Sequence, residues 1–232
     1  MATVDKSVSR SSSGKLREQA YSSFTRHLLA SELRPGQFIS QRELVKLTGM
    51  PLGAIRELVP RLEAEGLIST IPQRGMQIAP IDYNLVRDAY QFRLFLEKEA
   101  IAAFVQNASD EEISRIKAAH QEVLERAEDE GQSPALVAHA QELDWGFHDL
   151  LIDGLKNEII SKAYRVNSIK IRLIRQELTR INGLVKPVME EHMRIICAIE
   201  DRDAGEAVGR LSGHIKHSQQ RALGLAPAEP PK

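Results

Sequence analysis

The segment from Gln41 to Ile78, QRELVKLTGMPLGAIRELVPRLEAEGLISTIPQRGMQI, decides the fold of the first third of the chain. Apolar residues recur at helical spacing before Gly49 and again between Pro51 and Gly66, so two short helices are expected. Two β-like pieces follow at 67–71 and 76–78, on either side of a turn sequence Pro-Gln-Arg-Gly. This order of elements is typical of a helix-turn-helix with a β wing.

The residues before this segment add a third helix. Helical spacing begins near Leu16 and halts at Arg34-Pro35-Gly36, because proline and glycine end helices. Residues 1–14 are polar and without periodicity, and we expect them to form a flexible tail. Residues 15–79 are therefore expected to form a winged helix-turn-helix of three helices plus a small β-hairpin, near the lower size limit for a self-standing domain.

From residue 80 onward the pattern is helical, with no convincing strand. Six helical stretches, each roughly 15–25 residues long, are separated by short turns, which favours an antiparallel all-α bundle over 80–223. Residues 224–232 are predicted to be a disordered tail. The predicted fold class is thus mostly α-helical, with a winged helix-turn-helix followed by a helical bundle.

Charge and composition narrow the class of protein. Residues 1–78 contain 11 Lys and Arg against 7 Asp and Glu, whereas residues 79–232 contain 20 against 25. The basic first part suits contact with phosphates. The sequence shows no apolar run long enough to cross a bilayer and no apolar stretch of a secretory signal, and Cys197 is the single cysteine. We therefore expect a cytoplasmic protein without a membrane partner.

Five short motifs occur in order along residues 16–80. They are Leu33…Pro35-Gly36, Gln41-Arg42-Glu43-Leu44, Ile55-Arg56-Glu57, Leu62-Glu63-Ala64-Glu65-Gly66-Leu67-Ile68 and Arg74-Gly75. With this spacing the segment resembles the winged helix-turn-helix of GntR-family bacterial transcription regulators. The resemblance implies a regulator that binds double-stranded operator DNA, and proteins of this kind commonly act as homodimers.

The resemblance also implies which residues contact DNA. Arg42 and Arg56 would read bases or flanking phosphates, since arginine can donate two hydrogen bonds to guanine. Arg74 and Gly75 would lie in or beside the minor groove at the wing tip. For each arginine alone, the alternative is a solvated surface charge.

The helix expected between Pro51 and Gly66 departs from the family pattern in its first turn. Family members usually carry Ser or Thr followed by Arg where this chain has Pro51 and Leu52. Leu52 can offer only an apolar contact, for example to a thymine methyl group. Pro60 removes a hydrogen bond to the Arg56 carbonyl, at a cost of about 3 kcal/mol unless the helix bends. The operator sequence therefore cannot be taken from relatives.

A carboxylate and three histidines form a candidate metal site. Asp144 and His148 are four residues apart and share one helix face. His192 and His214 fall on the last two predicted helices, at a separation that gives matching depths when two antiparallel helices are joined by a short loop. One carboxylate and three imidazoles suit zinc, nickel, manganese or iron, and an octahedral ion would keep positions open for water or a carboxylate.

Motifs in the second part of the chain support this site. They are Phe92-Arg93…Leu96-Glu97, Asp144…Phe147-His148, Gly154…Asn157, Glu191-His192…Ile195…Ala198-Ile199, Asp201-Arg202-Asp203 and His214. With them residues 82–221 resemble the ligand-binding domain of the FadR-like GntR subgroup, the FCD type. The resemblance implies that Asp144, His148, His192 and His214 hold a divalent ion, with zinc as the first expectation.

Two arginines are candidates to bind the carboxylate of an acid effector, because arginine forms bidentate pairs with such groups. They are Arg93 and Arg172. For Arg93 the alternative is a salt bridge with Glu97 at i+4, and for Arg172 it is a surface charge. We predict that Trp145 is a core or dimer contact. His27, His120, His139 and His217 are predicted to be structural or surface residues.

The sequence thus predicts a transcription regulator whose operator binding is modulated by a small carboxylate metabolite at a divalent metal. One alternative is a metal-dependent hydrolase with Glu191 or Glu97 as its base. The sequence shows no nucleophile motif, phosphate loop or oxyanion glycine cluster that would favour it. The other alternative is a DNA-binding regulator with a purely structural metal.

Overall fold

A computed structural model of the chain describes residues 6–129, 131, 133–178, 181 and 183–225. The chain divides into two compact units, Met1–Asp82 and Tyr83–Lys232. Within the described residues there are nine helices and three short strands, which confirms the predicted mostly α-helical fold class. No helix in this part of the chain is both long enough and apolar enough to span a membrane.

The first unit contains helices α1 (Lys6–Leu29), α2 (Gln41–Thr48) and α3 (Leu52–Ala64). Helix α2 begins with a capping box, in which the Ser40 hydroxyl accepts the Glu43 N–H and the Glu43 carboxylate accepts the Ser40 N–H. It ends at Gly49, whose φ of 70° lies in the left-handed region. Helix α1 packs against both other helices, and the side chains buried in this unit include Phe24, Leu28, Leu44, Ile55, Leu58 and Leu62.

The wing is a three-stranded antiparallel sheet rather than the predicted two-stranded hairpin. Its strands β1 (Phe38–Ile39), β2 (Ile68–Ile71) and β3 (Gly75–Ile78) lie in the order β1-β3-β2. Sequence reasoning missed β1, because a strand of two residues is too short to show an alternating pattern.

The flexible-tail prediction for residues 1–14 differs from the structure. Helix α1 already begins at Lys6, so the backbone of residues 6–14 is helical, and residues 1–5 lie outside the described residues. A helical backbone forms its hydrogen bonds whether or not the helix has an apolar face. A polar helix therefore shows no periodic apolar pattern from which it could be predicted.

The second unit contains six helices: α4 (Tyr83–Asn107), α5 (Asp110–Asp129), α6 (Pro134–Gly154), α7 (Glu158–Leu178), α8 (Val185–Glu200) and α9 (Ala204–Ala222). The largest helix contacts are between α4 and α9, α5 and α8, and α8 and α9. Helix α8 begins at Val185, which leaves Pro187 in the first turn, where its missing N–H costs nothing. Of the predicted tail 224–232, residues 226–232 lie outside the described residues.

Candidate metal centre and DNA-binding surface

The structure brings the four predicted metal ligands together inside the helical unit. Asp144 and His148 lie on α6, His192 on α8 and His214 on α9, and all four are buried. One potential ligand atom from each residue lies within 4.8 Å of the others. Asp144 Oδ1 and His148 Nε2 are buried without a hydrogen-bond partner. Buried polar atoms without a partner are costly, so these two atoms fit a bound cation.

Two of the three histidines are oriented by carboxylates outside the cluster. His148 Nδ1 lies 2.6 Å from Glu97 Oε2, and His214 Nδ1 lies 2.7 Å from Glu191 Oε2. An ionised carboxylate only accepts hydrogen bonds, so each Nδ1 carries the hydrogen and donates it. The lone pair of each neutral ring is therefore on Nε2. This arrangement of a carboxylate behind a histidine is common at metal sites.

The inward-facing atoms are crowded with lone pairs. His192 Nε2 lies 3.4 Å from His214 Nε2 and 3.4 Å from Asp144 Oδ1. His148 Nε2 lies 3.9 Å from the same Asp144 oxygen. Acceptor atoms at these distances repel one another unless a proton or a cation lies among them. The donor set, one carboxylate and three imidazoles, suits a borderline divalent ion such as zinc.

The buried carboxylates in and beside the four-residue cluster are each paired with an arginine. Arg175 donates to Asp144 Oδ2, and Arg93 Nε donates to Glu97 Oε1 at 2.7 Å. Burial by itself would raise the pKa of Glu97, but Arg93 and His148 lower it to about 2. Burial would likewise raise the pKa of Asp144, and Arg175 keeps it well below the ordinary value.

Glu191 follows the same pattern. Its carboxylate accepts from Arg221 Nη2 at 3.2 Å and from His217 Nδ1 at 3.1 Å. Burial would raise the pKa of Glu191, but the hydrogen bond from His214 and the charge of Arg221 lower it to about 2. The carboxylates around the cluster are therefore ionised at neutral pH.

Two of the histidine ligands, His148 and His214, are held neutral. Burial lowers the pKa of His148 to about 4, and the nearby charge of Arg93 acts in the same direction. Burial also lowers the pKa of His214, to about 3, against the raising effect of Glu191. Because only the neutral imidazole binds a metal, both ligands are in the binding form at pH 7.

A small cavity lies beside the cluster, with a volume of about 10 Å³. Both predicted effector residues line it, together with His148, Trp145, Tyr164, Ser168 and Ile171. Its volume holds about one water, so a larger ligand requires side chains to move. The Nε atom of Arg172 and the indole Nε1 of Trp145 are buried without a hydrogen-bond partner.

Arg93 and Arg172 differ in their burial and in the groups that they contact. Arg93 is 2% exposed and forms the salt bridge with Glu97 that sequence reasoning kept as its alternative. Arg172 is half-buried, donates to Asp149 at 2.9 Å and lies over the Trp145 ring at 4.7 Å. The prediction for Trp145 named only core or dimer contacts, and its place at the cavity was missed.

Sequence reasoning also missed the residues that orient the ligands. Glu97 and Glu191 were named only as hydrolase bases or as a salt-bridge partner, and His120 only as a structural or surface histidine. His120 is fully buried and contacts His192. Arg175 and Tyr164 were not linked to the metal ligands, although Tyr164 donates to Glu97 at 2.5 Å. The i+4 spacing of Arg93 and Glu97 was the one available signal; the other contacts join different helices.

The predicted DNA-contacting residues all lie on the exposed surface of the first unit. Arg42 is in the first turn of α2, Arg56 is on α3, and Leu52 at the start of α3 is 38% exposed. Pro51 is the N-cap of α3 rather than part of its first turn, and its side chain caps no N–H group. Pro60 lies inside α3, which nevertheless continues to Ala64.

The wing tip presents the remaining two residues. Arg74 is exposed, and its guanidinium carbon lies 4.4 Å from the centre of the Phe38 ring on β1. Gly75 has a φ of 93°, a conformation that side chains rarely adopt. The turn thus depends on glycine, and the strand that sequence reasoning missed supplies the ring beneath Arg74.

Comparisons with known proteins agree with these two parts. The family described as bacterial regulatory proteins, gntR family, matches residues 16–78, and the FCD domain family matches residues 88–217, more than half of the chain. The chain belongs to the GntR family and carries an FCD domain. The resemblance drawn from the sequence is thereby confirmed. The protein is a DNA-binding transcription regulator of the GntR/FCD type.

Individual proteins show the same similarity. The Nta operon transcriptional regulator of Aminobacter aminovorans is 29% identical over 188 residues, which cover 81% of this chain and 85% of that protein. The structure of E. coli McbR/YncC covers 90% of this chain and 97% of its own, with a TM-score of 0.73 at 14% identity. The metal-free FCD domain of TM0439 covers 63% of this chain and 96% of its own, with a TM-score of 0.53 at 22% identity. At these identities the two structures show a shared fold.

Proposed function

We propose that this regulator senses a small carboxylate metabolite at a divalent metal and responds by changing its affinity for operator DNA. Asp144, His148, His192 and His214 hold the ion, with zinc first and nickel, manganese or iron as alternatives. Residues 15–79 bind DNA, residues 80–223 bind metal and effector and form a homodimer, and the protein acts in the cytoplasm. The observation that carries this proposal is the convergence of one potential ligand atom from each of the four residues within 4.8 Å, with Glu97 and Glu191 holding the Nδ1 hydrogens of His148 and His214 away from the centre.

The charges around the cluster favour an anionic effector. The three carboxylates in and beside it, Asp144, Glu97 and Glu191, are each paired with an arginine. The ligands His148 and His214 are neutral. A divalent ion therefore adds two positive charges that these paired and neutral groups do not offset, and uncompensated buried charge is costly. A monocarboxylate offsets half of this charge, whereas a dicarboxylate offsets all of it.

The cavity beside His148 supports the same ligand class. Arg172 Nε and Trp145 Nε1 both lack acceptors, and a carboxylate oxygen would satisfy them. When bound, the metal ion would act as a Lewis acid and attract the other end of the effector molecule. Arg172 is paired with Asp149 through Nη2 but its Nε has no partner, whereas Arg93 Nε already donates to Glu97, so we assign the ligand contact to Arg172 before Arg93.

A thermal-shift comparison tests the sensing half of the proposal. We expect succinate to raise the melting temperature of the zinc-loaded protein more than acetate does, and to have little effect after treatment with a chelator. A ligand at 100 times its dissociation constant stabilises the folded state by about 2.7 kcal/mol. The variant His148→Ala should lose the effect, and His139→Ala, which changes an exposed histidine on the same helix, should keep it. An equal succinate shift with and without chelator would contradict the proposal.

A gel-shift titration tests the DNA-binding half. The variant Arg56→Ala should weaken binding to a duplex selected by the wild-type protein, by about 1–3 kcal/mol if Arg56 contacts a guanine. Its fold and metal content should stay unchanged. Arg115→Ala removes an exposed arginine of the helical unit and serves as the control. Unchanged affinity of Arg56→Ala would remove this residue from the interface.

The hydrolase alternative receives no support from the site. Both candidate bases are already acceptors: Glu97 from Arg93, Tyr164 and His148, and Glu191 from its arginine and histidines. A carboxylate with a pKa of about 2 is a weak base at neutral pH. We therefore propose a regulator rather than an enzyme.

A further inference from the structure

A fourth buried histidine lies behind the metal ligands. His120, on α5, is fully buried and does not belong to the set of four converging ligand atoms. Its Nε2 atom lies 3.1 Å from His192 Nδ1, and its Nδ1 atom lies 2.8 Å from the carbonyl oxygen of Ile116. His192 is the one histidine ligand whose Nδ1 faces another imidazole rather than a carboxylate.

The carbonyl of Ile116 determines where the hydrogens are. A carbonyl oxygen only accepts, so the hydrogen of neutral His120 is on Nδ1, and its Nε2 carries a lone pair. That lone pair can only accept, so His192 must donate from Nδ1. The lone pair of His192 is then on Nε2, which lies 3.4 Å from both His214 Nε2 and Asp144 Oδ1.

Phe147 packs against both imidazole rings. Phe147 lies edge-on to His120, with ring centres 5.4 Å apart, and against His192 at 4.8 Å. The centres of the two histidine rings are 5.3 Å apart. Both imidazoles thus pack against the same phenylalanine, and the order of the hydrogen bonds follows from the contact of His120 Nδ1 with the Ile116 carbonyl.

We propose that His120 is a positioning residue, which accepts the Nδ1 hydrogen of His192 and so directs the His192 Nε2 lone pair at the metal. This inference rests on the proposed metal site. It gives a role to a residue that binds no metal itself, and it makes α5, which supplies none of the four ligands, part of the metal centre. Outer partners of this kind contribute about 10–100-fold to metal affinity.

Two amide substitutions separate the hydrogen bonds of His120. The amide oxygen and nitrogen of glutamine are as many bonds from Cβ as the Nε2 atom of histidine is. The amide oxygen and nitrogen of asparagine are as many bonds from Cβ as the Nδ1 atom of histidine is. His120→Gln therefore keeps an acceptor for His192, and His120→Asn keeps only the contact to Ile116. We expect His120→Asn to weaken zinc binding about 10–100-fold and His120→Gln about threefold or less, measured by competition with a fluorescent chelator.

Val123→Ala is the matched structural control. Val123 is fully buried on the same helix, where it packs in an apolar cluster with Leu136 and Ala140. This variant should lower the melting temperature of the metal-free protein and leave the zinc affinity unchanged. Equal losses of zinc affinity in the asparagine and glutamine variants, or no loss in either, would overturn the role of His120.

The metal-free wild type offers an independent readout. Long-range ¹⁵N–¹H spectra distinguish the two neutral tautomers of histidine, and we expect the Nδ1–H form for both His120 and His192. An Nε2–H form of His192 would overturn the inference even if the asparagine variant does not fold. Failure of the wild type to bind zinc, nickel, manganese or iron would instead overturn the proposed metal site, so the two failures are distinguishable.

Discussion

Replacing Glu97 by glutamine should strongly destabilise the metal-free helical unit. Glu97 is fully buried and accepts hydrogen bonds from Arg93 at 2.7 Å, His148 at 2.6 Å and Tyr164 at 2.5 Å. The substitution leaves the buried Arg93 charge unpaired and points an amide N–H₂ group at donors. Removing one member of a buried ion pair costs about 3–5 kcal/mol. Urea unfolding followed by the fluorescence of Trp145, the single tryptophan, reports on this unit.

Two further variants make the comparison specific. Glu99→Gln changes an exposed residue of the same helix and should stay within about 0.5 kcal/mol of the wild type. The double variant Arg93→Met with Glu97→Gln leaves no unpaired charge and should recover much of the loss. If Glu97→Gln alone lowers the free energy of unfolding by less than about 1 kcal/mol, the pair contributes no more than an exposed ion pair does, and the reasoning is refuted.

Three other predictions concern pH, the recognition helix and the wing. The folded pKa values of His148 and His214, about 4 and 3, lie below the ordinary value of 6.5, so their contribution to stability is complete above pH 6.5 and is lost as the pH falls towards 4 and 3. The urea concentration at the unfolding midpoint of the metal-free protein should therefore decrease as the pH is lowered from 7 to 5. A midpoint that stays constant over this range would contradict the burial of neutral rings. Pro60→Ala should restore a hydrogen bond to the Arg56 carbonyl and stabilise the first unit by up to about 3 kcal/mol, and a lower or unchanged calorimetric transition would count against it. Arg74→Ala should reduce the slope of log affinity for DNA against log salt by about one, whereas Lys98→Ala on helix α4 should not. An unchanged slope for Arg74→Ala would place this side chain away from the phosphates.

The helices could be predicted from the sequence because helical spacing is local, and the four candidate metal ligands were named from the i+4 spacing of Asp144 and His148 together with the resemblance to the FCD type. Asp144 and His148 share a helix face at i+4, and short loops between long helices favour an antiparallel bundle. Strand β1 could not be predicted, because its two residues are defined by pairing with β3 and not by a pattern of their own.

The outer partners of the site could not be predicted, because they come from other helices. Glu97 lies on α4, His120 on α5 and Arg175 on α7, and only the folded bundle brings them to the ligands on α6 and α8. Burial of a polar residue is equally invisible to spacing. Arg93 and Glu97 could be paired from their i+4 separation, but not recognised as almost fully buried.

The decisive measurement compares the affinity for a selected operator duplex in four conditions, by fluorescence anisotropy: zinc-loaded or chelator-treated protein, each with and without succinate. We expect succinate to change the dissociation constant about tenfold, within the usual range of allosteric coupling, and only in the zinc-loaded protein. A dissociation constant that is the same in all four conditions, while zinc and succinate are both bound, would contradict metal-dependent sensing of a carboxylate.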